Sequence, residues 1–580
     1  MDTLRLFGGE QWLASAISLE THFYFALAAL LLPLTFLNYQ TWLVADLLCA
    51  LLAVLACGYL FSQANLIIDE GWEFGAPDYA TWAAIALWLL LLEAVRRAGG
   101  LALALIAGAF SLMPVFAEHL PGPFAGLAAT FPETAAYHAL SIESIFGLPF
   151  RAFAELVIGF LVFGVALQRT GGGRFFLDLA FSLLGHVRGG PAKVAIVASG
   201  FMGSMSGSVV TNVLTTGQMT IPAMRNAGLS AERAGAVEAC ASTGGVLLPP
   251  IMGSTAFVMA TFLEVPYYQV ALAAAVPALL YFGALFLQLD AEAGRDTLAG
   301  QAPESLPQVG ATLRAGWFYL GAFALLVFLL LVLQREAFAP YYATAALVIL
   351  NQFSGEHRWH WQDGVDFLAA TGKLLGELFA VLAGVGLIVG ALSLTGLSGT
   401  LVNDLLYLAD DSTVFLLLMG AAASFVLGIG MTVTAAYIFL AIVLAPALVQ
   451  AGLSPMAVHL FILYWAMLSF ITPPVALGAF AAASIAQAKP IATGFAAMRL
   501  GGAIYLLPFL FVVHPALILE GSTTAIAVAV LSTSIGLFLL VGGMQGYLPL
   551  FERRLGSAAR FIVATLGIAV AATPVLVANN

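Results

Sequence analysis

The stretch Gly203-Ser-Met-Ser-Gly-Ser-Val-Val-Thr-Asn212, followed by Ser242-Thr-Gly-Gly-Val-Leu-Leu-Pro-Pro250, recurs in diverged form at Gly428-Ile-Gly-Met-Thr-Val-Thr434 and Ser469-Phe-Ile-Thr-Pro-Pro474. Each copy sets small residues, hydroxyls and a Pro-Pro pair inside long apolar runs, where a membrane helix must break and release backbone groups. Such breaks persist at membrane depth only where protein encloses them around a cavity. The spacing is nearly kept, 42 positions from Gly207 to Pro249 and 43 from Gly430 to Pro473. Paired interruptions at matching positions of two halves point to a solute site near the bilayer midplane, as in secondary transporters. The expected fold class is an all-α polytopic membrane protein, an inverted-repeat transporter with two re-entrant hairpins and two broken helices.

Composition agrees with a life in lipid: 62% of residues are hydrophobic and 9% charged, against about 25% charged in soluble domains. Length therefore counts spans of about 20 residues rather than soluble domains. With a net charge of −11 and only 20 Lys and Arg, no basic face for nucleic acid is available. Cys49, Cys57 and Cys240 sit in apolar runs without ligand or disulfide spacing and read as small core residues. Met1 to Leu19 lacks the pattern of a cleaved signal, so Thr21 to Phe36 is expected as a first span and the mature chain is expected to begin near Met1.

Apolar segments predict spans near 15–36, 40–62, 79–96, 98–118 and 152–168, then an interfacial helix over Phe175 to Val187. A hairpin over Pro191–Ala227 turning at Gly203–Gly207 and a helix over Ala231–Glu264 broken at Gly244-Gly245 and Pro249-Pro250 follow. Further spans are expected near 268–288, 315–333, 338–352 and 372–394, with Asp290–Arg314 as the linker between halves. The second hairpin covers Val414–Gln450, folding at Gly428–Gly430. The second broken helix covers Pro455–Ala488 with its break at Pro473-Pro474, and spans near 493–515, 523–543 and 560–577 finish the chain. Lys and Arg gather on cytoplasmic loops. Arg96-Arg97, Arg169, Arg174, Arg295, Arg314, Arg358, Lys489 and Arg553-Arg554 fall on one side if Met1 starts outside, with Arg151 and Arg335 as exceptions. Both termini are then periplasmic. The first hairpin, flanked by Arg188, Lys193, Arg225 and Arg233, enters from the cytoplasm; the second, preceded by Asp410-Asp411, enters from outside.

Hairpin tips and helix breaks offer carbonyls and hydroxyls to a hard cation and amides to an anion. One candidate cation or substrate site comprises Ser204, Ser206, Ser208, Thr211, Asn212, Ser242, Thr243, Gly244 and Gly245. The other comprises Gly428, Gly430, Thr432, Thr434, Ser469 and Thr472. The alternative is that these small and hydroxyl residues merely let helices pack closely. Glu238, with no base beside it, is expensive in a membrane segment; it carries a proton or is a structural acid. Arg225 and Arg233 either steer an anion or only mark topology, Arg499 snorkels to an interface, and His459 and Tyr464 read as core. Enzyme signatures are weak: Met205 occupies the serine position of a G-x-S-x-G elbow, and His357 and His360 beside Trp359 and Trp361 read as an interfacial anchor. No catalytic residue is assigned, and no P-loop is present to use ATP.

At Gly235-Ala-Val-Glu-Ala-Cys-Ala-Ser-Thr-Gly-Gly-Val-Leu-Leu-Pro-Pro-Ile-Met-Gly253 the chain resembles the fused membrane permease of tripartite ATP-independent periplasmic (TRAP) transporters, the TAXI branch in particular. Pro266-Tyr-Tyr-Gln-Val-Ala-Leu-Ala-Ala-Ala-Val-Pro277, Thr434-Ala-Ala-Tyr-Ile438, Ile471-Thr-Pro-Pro-Val-Ala-Leu477 and His514-Pro-Ala-Leu517 support it, over roughly 140–520. The resemblance implies small-subunit-like scaffold helices at 1–130, a first inverted repeat at 131–300, a second at 301–520 and two extra helices at 521–580. It implies an elevator-type permease of the bacterial inner membrane, monomeric, taking a small organic acid from a periplasmic TAXI-type substrate-binding protein. Coupling to sodium or protons is implied, with sodium held at the two clusters above, and no further cofactor. Thr432 stands where relatives often have proline, so the second tip is expected to coordinate differently. An intramembrane enzyme or an ion channel are the alternatives; the first needs a nucleophile with a base, the second conducts without a binding protein.

Overall fold

The computed structural model describes residues 20–39, 41–122, 125–353, 358–409 and 412–573. Met1 to Leu19, His357 and Asp410-Asp411 lie outside them. Among the described residues, nine helices are long and apolar enough to cross a membrane, or up to eleven if each bent pair is one span. Among the described residues, strand pairing is confined to Tyr547–Leu548 against Arg553–Arg554.

The first four spans, Glu20–Asn38, Leu43–Ser62, Asp78–Ala98 and Gly100–Phe116, stand close to their expected positions. The first, third and fourth pack on the long helix Trp361–Leu394, and Leu43–Ser62 packs on the first and third; the long helix starts eleven residues before its expected start because Trp361 to Gly372 continues the helical pattern on polar residues. Close approach is bought with small residues: a Cβ at Gly376 would meet the Leu31 carbonyl at 3.2 Å, and Thr35 Oγ1 donates to the Gly376 carbonyl at 2.8 Å. Arg97 closes one end of this bundle, reaching Asp46 at 2.6 Å and Glu93 at 2.7 Å. Two-charge neutralisation of this kind is what makes a buried guanidinium tolerable.

The helix Leu148–Arg169 leads to Gly172–Leu184, the segment expected to lie in the interface, which begins after Gly171 in the left-handed region. A helix in the matching place, Leu397–Leu408, begins after Gly396, also left-handed; it has no separate signal in the sequence, since its apolar character blends into the span before it. Hairpin 1 consists of Gly190–Ser206 and Val209–Asn226, hairpin 2 of Thr413–Gly430 and Val433–Val443 with Ala445–Gln450. Broken helix 1 consists of Ala231–Leu247 and Ser254–Phe262, broken helix 2 of Pro455–Met467 and Leu477–Ala486.

Several expected boundaries move. Both hairpins turn later than expected, at Gly207-Ser208 and Met431-Thr432, because the glycines before the turns stay helical. Gly244-Gly245 is also helical rather than unwound, so the first break runs from Leu248 to Gly253; these glycines serve close packing. The linker shortens to residues 297–308, since Tyr267–Asp296 and Val309–Leu331 extend into it. The span expected at 493–515 is two helices, Pro490–Leu500 and Ala503–Val513, bent by 41° at Gly501-Gly502. The extra helices Thr523–Gln545 and Ser557–Ala571 pair through Gly536, Gly543 and Gly567, where an added Cβ would meet opposing backbone at 2.5–2.6 Å.

Loop bases tie helix ends together at one end of the molecule. Arg188 and Lys193 share Asp290 at 2.7 and 2.5 Å, Arg233 pairs with Glu292, and Arg225 donates to the Ala486 carbonyl at 3.1 Å. Arg295 reaches the Gln545 carbonyl at 3.1 Å, and Trp359 Nε1 reaches that of Arg169 at 3.4 Å. Arg225 and Arg233 thus hold helices together rather than standing free to steer a solute. Arg499 is exposed in the last turn of its helix, the placement snorkelling requires.

Candidate functional site

Both turns are built by the same local device. Ser208 caps Val209–Asn226 by accepting from the Thr211 amide, and Thr432 caps Val433–Val443 by accepting from that of Ala435. Such caps contribute about 1 kcal/mol each. Measured from the caps, Pro249 and Pro473 each follow by 41 positions, so the two halves align at a constant offset of 224 through hairpin and broken helix. Both Pro-Pro bonds are cis.

Each first arm of a hairpin packs on the first arm of its own broken helix, while the second arms cross over to the other repeat. Val209 stands against Gly478, where a Cβ would meet Val209 Cγ1 at 2.9 Å. In the mirrored contact Thr434 Oγ1 shares hydrogen bonds with Ser254 Oγ at 3.1 Å and Thr255 Oγ1 at 2.8 Å. Gly207, the hairpin 1 turn, sits on Gly253, and a Cβ at either would meet the other's Cα within 2.6–2.8 Å; both have positive φ, so glycine is required twice over. The starts of four helices, at Val209, Ser254, Val433 and Leu477, are therefore linked in one chain of contacts. Helix starts present unpaired amides and positive partial charge, and the first-arm ends beside them present carbonyls. Break carbonyls of Pro250 and Ile251 accept from Tyr267 at 2.7 and 2.8 Å, which avoids the several kcal/mol of an orphan group in apolar surroundings.

The structure brings together some candidate residues and disperses others. Asn212 Nδ2 donates to the Ser199 carbonyl at 2.7 Å and to Ser242 Oγ at 3.1 Å, while its Oδ1 is buried without a partner among the described residues. Ser204 and Thr243 bond back within their own helices, to Phe201 and Ala239 carbonyls. Ser206 and Ser208 form the turn, and Thr211 is exposed. Gly245 allows Gly203 to approach, with a prospective Cβ 2.8 Å from Gly203 Cα, and Gly244 faces the Tyr281 ring. In the second cluster Thr434 crosses to Ser254 and Thr255, Thr472 pairs with Tyr505 Oη at 2.5 Å, and Ser469 bonds back to Ala466 against Gly428. Gly430 ends the first arm of hairpin 2 and Thr432 caps the second. Of these residues Thr432, Thr434 and the Ser206–Ser208 turn stand at the crossing, Asn212 and Ser242 join a buried polar layer beside it, and Ser204, Thr243, Ser469 and Thr472 bond within or beside their own helices.

That layer surrounds Glu238. Its side chain is fully buried and accepts from Ser199 Oγ at 2.7 Å, Thr216 Oγ1 at 2.5 Å, Thr220 Oγ1 at 2.5 Å and Ser242 Oγ at 3.2 Å. Sequence reasoning missed Ser199, Thr216, Thr220, Ser254 and Thr255. The signal existed in part: Asn212, Thr216 and Thr220 recur every fourth position and so share one helix face. Elsewhere, His459 Nδ1 meets Tyr437 Oη at 2.6 Å in the core, Tyr464 is buried, and His360 begins Trp361–Leu394 with its amide on Asp363 at 2.7 Å. Cys240 donates to the Ala497 carbonyl at 3.2 Å.

The pattern of the family described as "Tripartite ATP-independent periplasmic transporter, DctM component" matches residues 86–526. The chain belongs to this family. Among DctM relatives, the 2,3-diketo-L-gulonate TRAP transporter large permease protein of Escherichia coli K12 is 24% identical over 336 residues, 56% of this chain and 76% of that protein. The C4-dicarboxylate TRAP transporter large permease protein of Pseudomonas aeruginosa is 25% identical over 382 residues, 65% of this chain and 86% of the relative. The isethionate TRAP transporter permease protein of Oleidesulfovibrio alaskensis is 26% identical over 337 residues, covering 57% of this chain and 52% of that one. The DctM match takes in both hairpins, both broken helices and the crossing between them, and leaves the first two described spans and the last two helices outside.

Proposed function

We propose that this DctM-family chain is the permease of an ion-coupled transporter that takes up a small organic acid across the bacterial inner membrane. The observation that carries the reading is the crossing, where the starts of four helices from the two halves meet in one chain of contacts. Four amide-rich helix ends favour a carboxylate, and adjacent carbonyl ends and hydroxyls favour a cation. The relatives' names, C4-dicarboxylate and diketogulonate among them, agree in chemistry.

In this reading the two hairpins and two broken helices move as a unit, elevator fashion, against a scaffold formed by the first four spans and Trp361–Leu394. Residues 1–130 play the part of a fused small subunit, 131–300 and 301–520 are the two inverted repeats, and 521–580 add scaffold. The basic end of the molecule faces the cytoplasm, which puts both termini and the hairpin 2 side in the periplasm. There a TAXI-type binding protein delivers the solute to a monomeric permease. Sodium or protons supply the driving force.

Dependence on the soluble partner tests this directly. Purified permease in proteoliposomes is to be offered radiolabelled succinate, malate and 2-oxoglutarate under sodium and pH gradients, with and without the cognate binding protein outside. Uptake that requires both a gradient and the binding protein is expected. Equal uptake without the binding protein points to a channel and overturns the reading.

A further inference from the structure

Three acids are buried among the described residues: Asp46, Glu238 and Glu292. Asp46 is paired with Arg97 and Glu292 with Arg233. Among the described residues, the hydrogen-bond partners of the Glu238 side chain are all hydroxyls. The charged groups on the elements packed against it are engaged elsewhere or held at their ends. On hairpin 1, Lys193 pairs with Asp290 and Arg225 bonds to the Ala486 carbonyl. On its own helix Arg233 pairs with Glu292 and Glu232 lies in the first turn. On Tyr267–Asp296, Asp290, Glu292, Arg295 and Asp296 gather near the last turns, and Arg499 is exposed at the end of Pro490–Leu500. The nearby Cys240 thiol donates to the Ala497 carbonyl, and the Tyr281 hydroxyl to that of Cys240.

The second repeat shows what this layer would look like without a task. At the constant offset of 224, Asn212, Thr216, Thr220, Glu238 and Ser242 correspond to Ala436, Leu440, Leu444, Ile462 and Ala466, all buried. The half-buried Ala423 matches Ser199. At these positions the second repeat packs with hydrocarbon, and its buried polar contact between hairpin and broken helix, His459 Nδ1 with Tyr437 Oη, lies instead at positions matching Gly235 and Val213; a carboxylate ringed by hydroxyls is thus not what the packing requires. An uncompensated acid in a membrane segment is expensive and marks function by default.

The hydroxyls also have a second set of acceptors. Thr216 Oγ1 lies 2.8 Å from the Asn212 carbonyl and Thr220 Oγ1 lies 3.1 Å from that of Thr216, each one turn back. When Glu238 is ionised, both threonines donate to it. When it is protonated, the new O–H donates to one threonine oxygen, and that threonine turns its hydrogen to the backbone carbonyl. Every hydrogen bond is kept in both states without moving a heavy atom. Only the charge changes, and a charge held in an apolar unit is what opposes its passage across the membrane.

From this layer we infer that Glu238 binds and releases the coupling proton of the transporter, with Ser199, Thr216, Thr220 and Ser242 positioning its carboxyl group. One O–H bond forms with a proton taken from water on the uptake side and breaks to water on the other; no other bond changes. The inference rests on the transport reading above.

The experiment compares wild type, Glu238→Gln and Thr220→Val in proteoliposomes with the binding protein and the succinate, malate and 2-oxoglutarate panel. Two assays are run: accumulation under an imposed pH gradient, and exchange of internal for external solute with no gradient. Wild type is expected to accumulate solute under the pH gradient. Glu238→Gln is expected to lose accumulation at least tenfold while exchange stays within twofold. Thr220→Val, which lacks one donor to the ionised form, is expected to raise the pH of half-maximal accumulation by about one unit. Accumulation by wild type under a sodium gradient, kept by Glu238→Gln, overturns the inference and leaves the transport reading standing. Absence of wild-type uptake under either gradient defeats the transport reading itself. If Glu238→Gln does not fold, the Thr220→Val profile decides, and a profile identical to wild type overturns the inference.

Discussion

A close backbone approach in the first repeat, at Gly245, predicts a stability change with a definite sign. A Cβ on Gly245 would stand 2.7 Å from the Ser199 carbonyl oxygen, 2.8 Å from Gly203 Cα and 3.2 Å from the Gly200 oxygen. All three are helix backbone and none can swing aside. Gly245→Ala must therefore push hairpin 1 about 0.6 Å from broken helix 1 to restore ordinary carbon contact. The Ser199 hydrogen bond to Glu238, now 2.7 Å, would then stretch to about 3.3 Å, near the end of useful range. Overpacking costs about 1–3 kcal/mol and a weakened bond to a charged group about 1 kcal/mol more. Alanine returns about 1 kcal/mol as the better helix former. The net is about 2 kcal/mol of destabilisation, or about 1.6 °C in melting temperature at about 2.1 cal/mol/K per residue for a chain of this size. Gly283→Ala is the control, because nothing lies within 4 Å of its prospective Cβ and only the helical gain remains. Melting both variants in detergent by intrinsic fluorescence is the assay. Gly245→Ala melting at or above wild type would refute the reasoning from backbone contact.

Three further outcomes are expected. Thr434→Cys with Ser254→Cys, in a background free of Cys49, Cys57 and Cys240, should form a disulfide across the crossing on mild oxidation and stop uptake until reduced, because the bond fills the place proposed for the solute; free uptake in the cross-linked form contradicts a solute site at the crossing. Arg233→Ala strands Glu292, whose side chain is 10% exposed, and should destabilise by about 3 kcal/mol, whereas Arg233→Ala with Glu292→Gln should recover most of the loss in the same melt. Glu143, in the loop before Leu148, is held below the ordinary carboxylate range by the Ser393 and Tyr137 hydroxyls, which donate at 2.6 and 2.8 Å. Its depressed value contributes stability above the unfolded-state pKa and loses it as pH falls through the folded one. Ser393→Ala should therefore lower the melting temperature at pH 7 and by progressively less as the pH falls and Glu143 protonates; an equal drop at every pH excludes the carboxylate as the cause.

Much of the fold was legible because membrane helices announce themselves by length and hydropathy, and because Pro249-Pro250 and Pro473-Pro474 mark breaks that no apolar substitute imitates. The turns were read one to four residues early, since glycine signals a turn and close packing with the same letter. Gly203, Gly244 and Gly245 proved to be packing residues within helices, while Gly207 alone takes the left-handed turn. Glu238 stood out as an acid without a base, yet Ser199 and Thr220 could not be assigned to it from the sequence, because they approach from two arms of a hairpin 18 and 39 positions away. Ser254 and Thr255 were missed for a similar reason: their partner Thr434 lies in the other repeat, and crossing between repeats is a property of the packing rather than of either segment.

The central claim is that an ion gradient drives solute uphill through this chain. The measurement that tests it most directly is the steady-state ratio of internal to external succinate, or of whichever probe the binding protein accepts, in proteoliposomes under an imposed gradient, before and after an ionophore collapses it. The account predicts a ratio well above one that falls to one on collapse. A ratio that reaches one and never exceeds it, with or without the gradient, contradicts the account and leaves a passive pore.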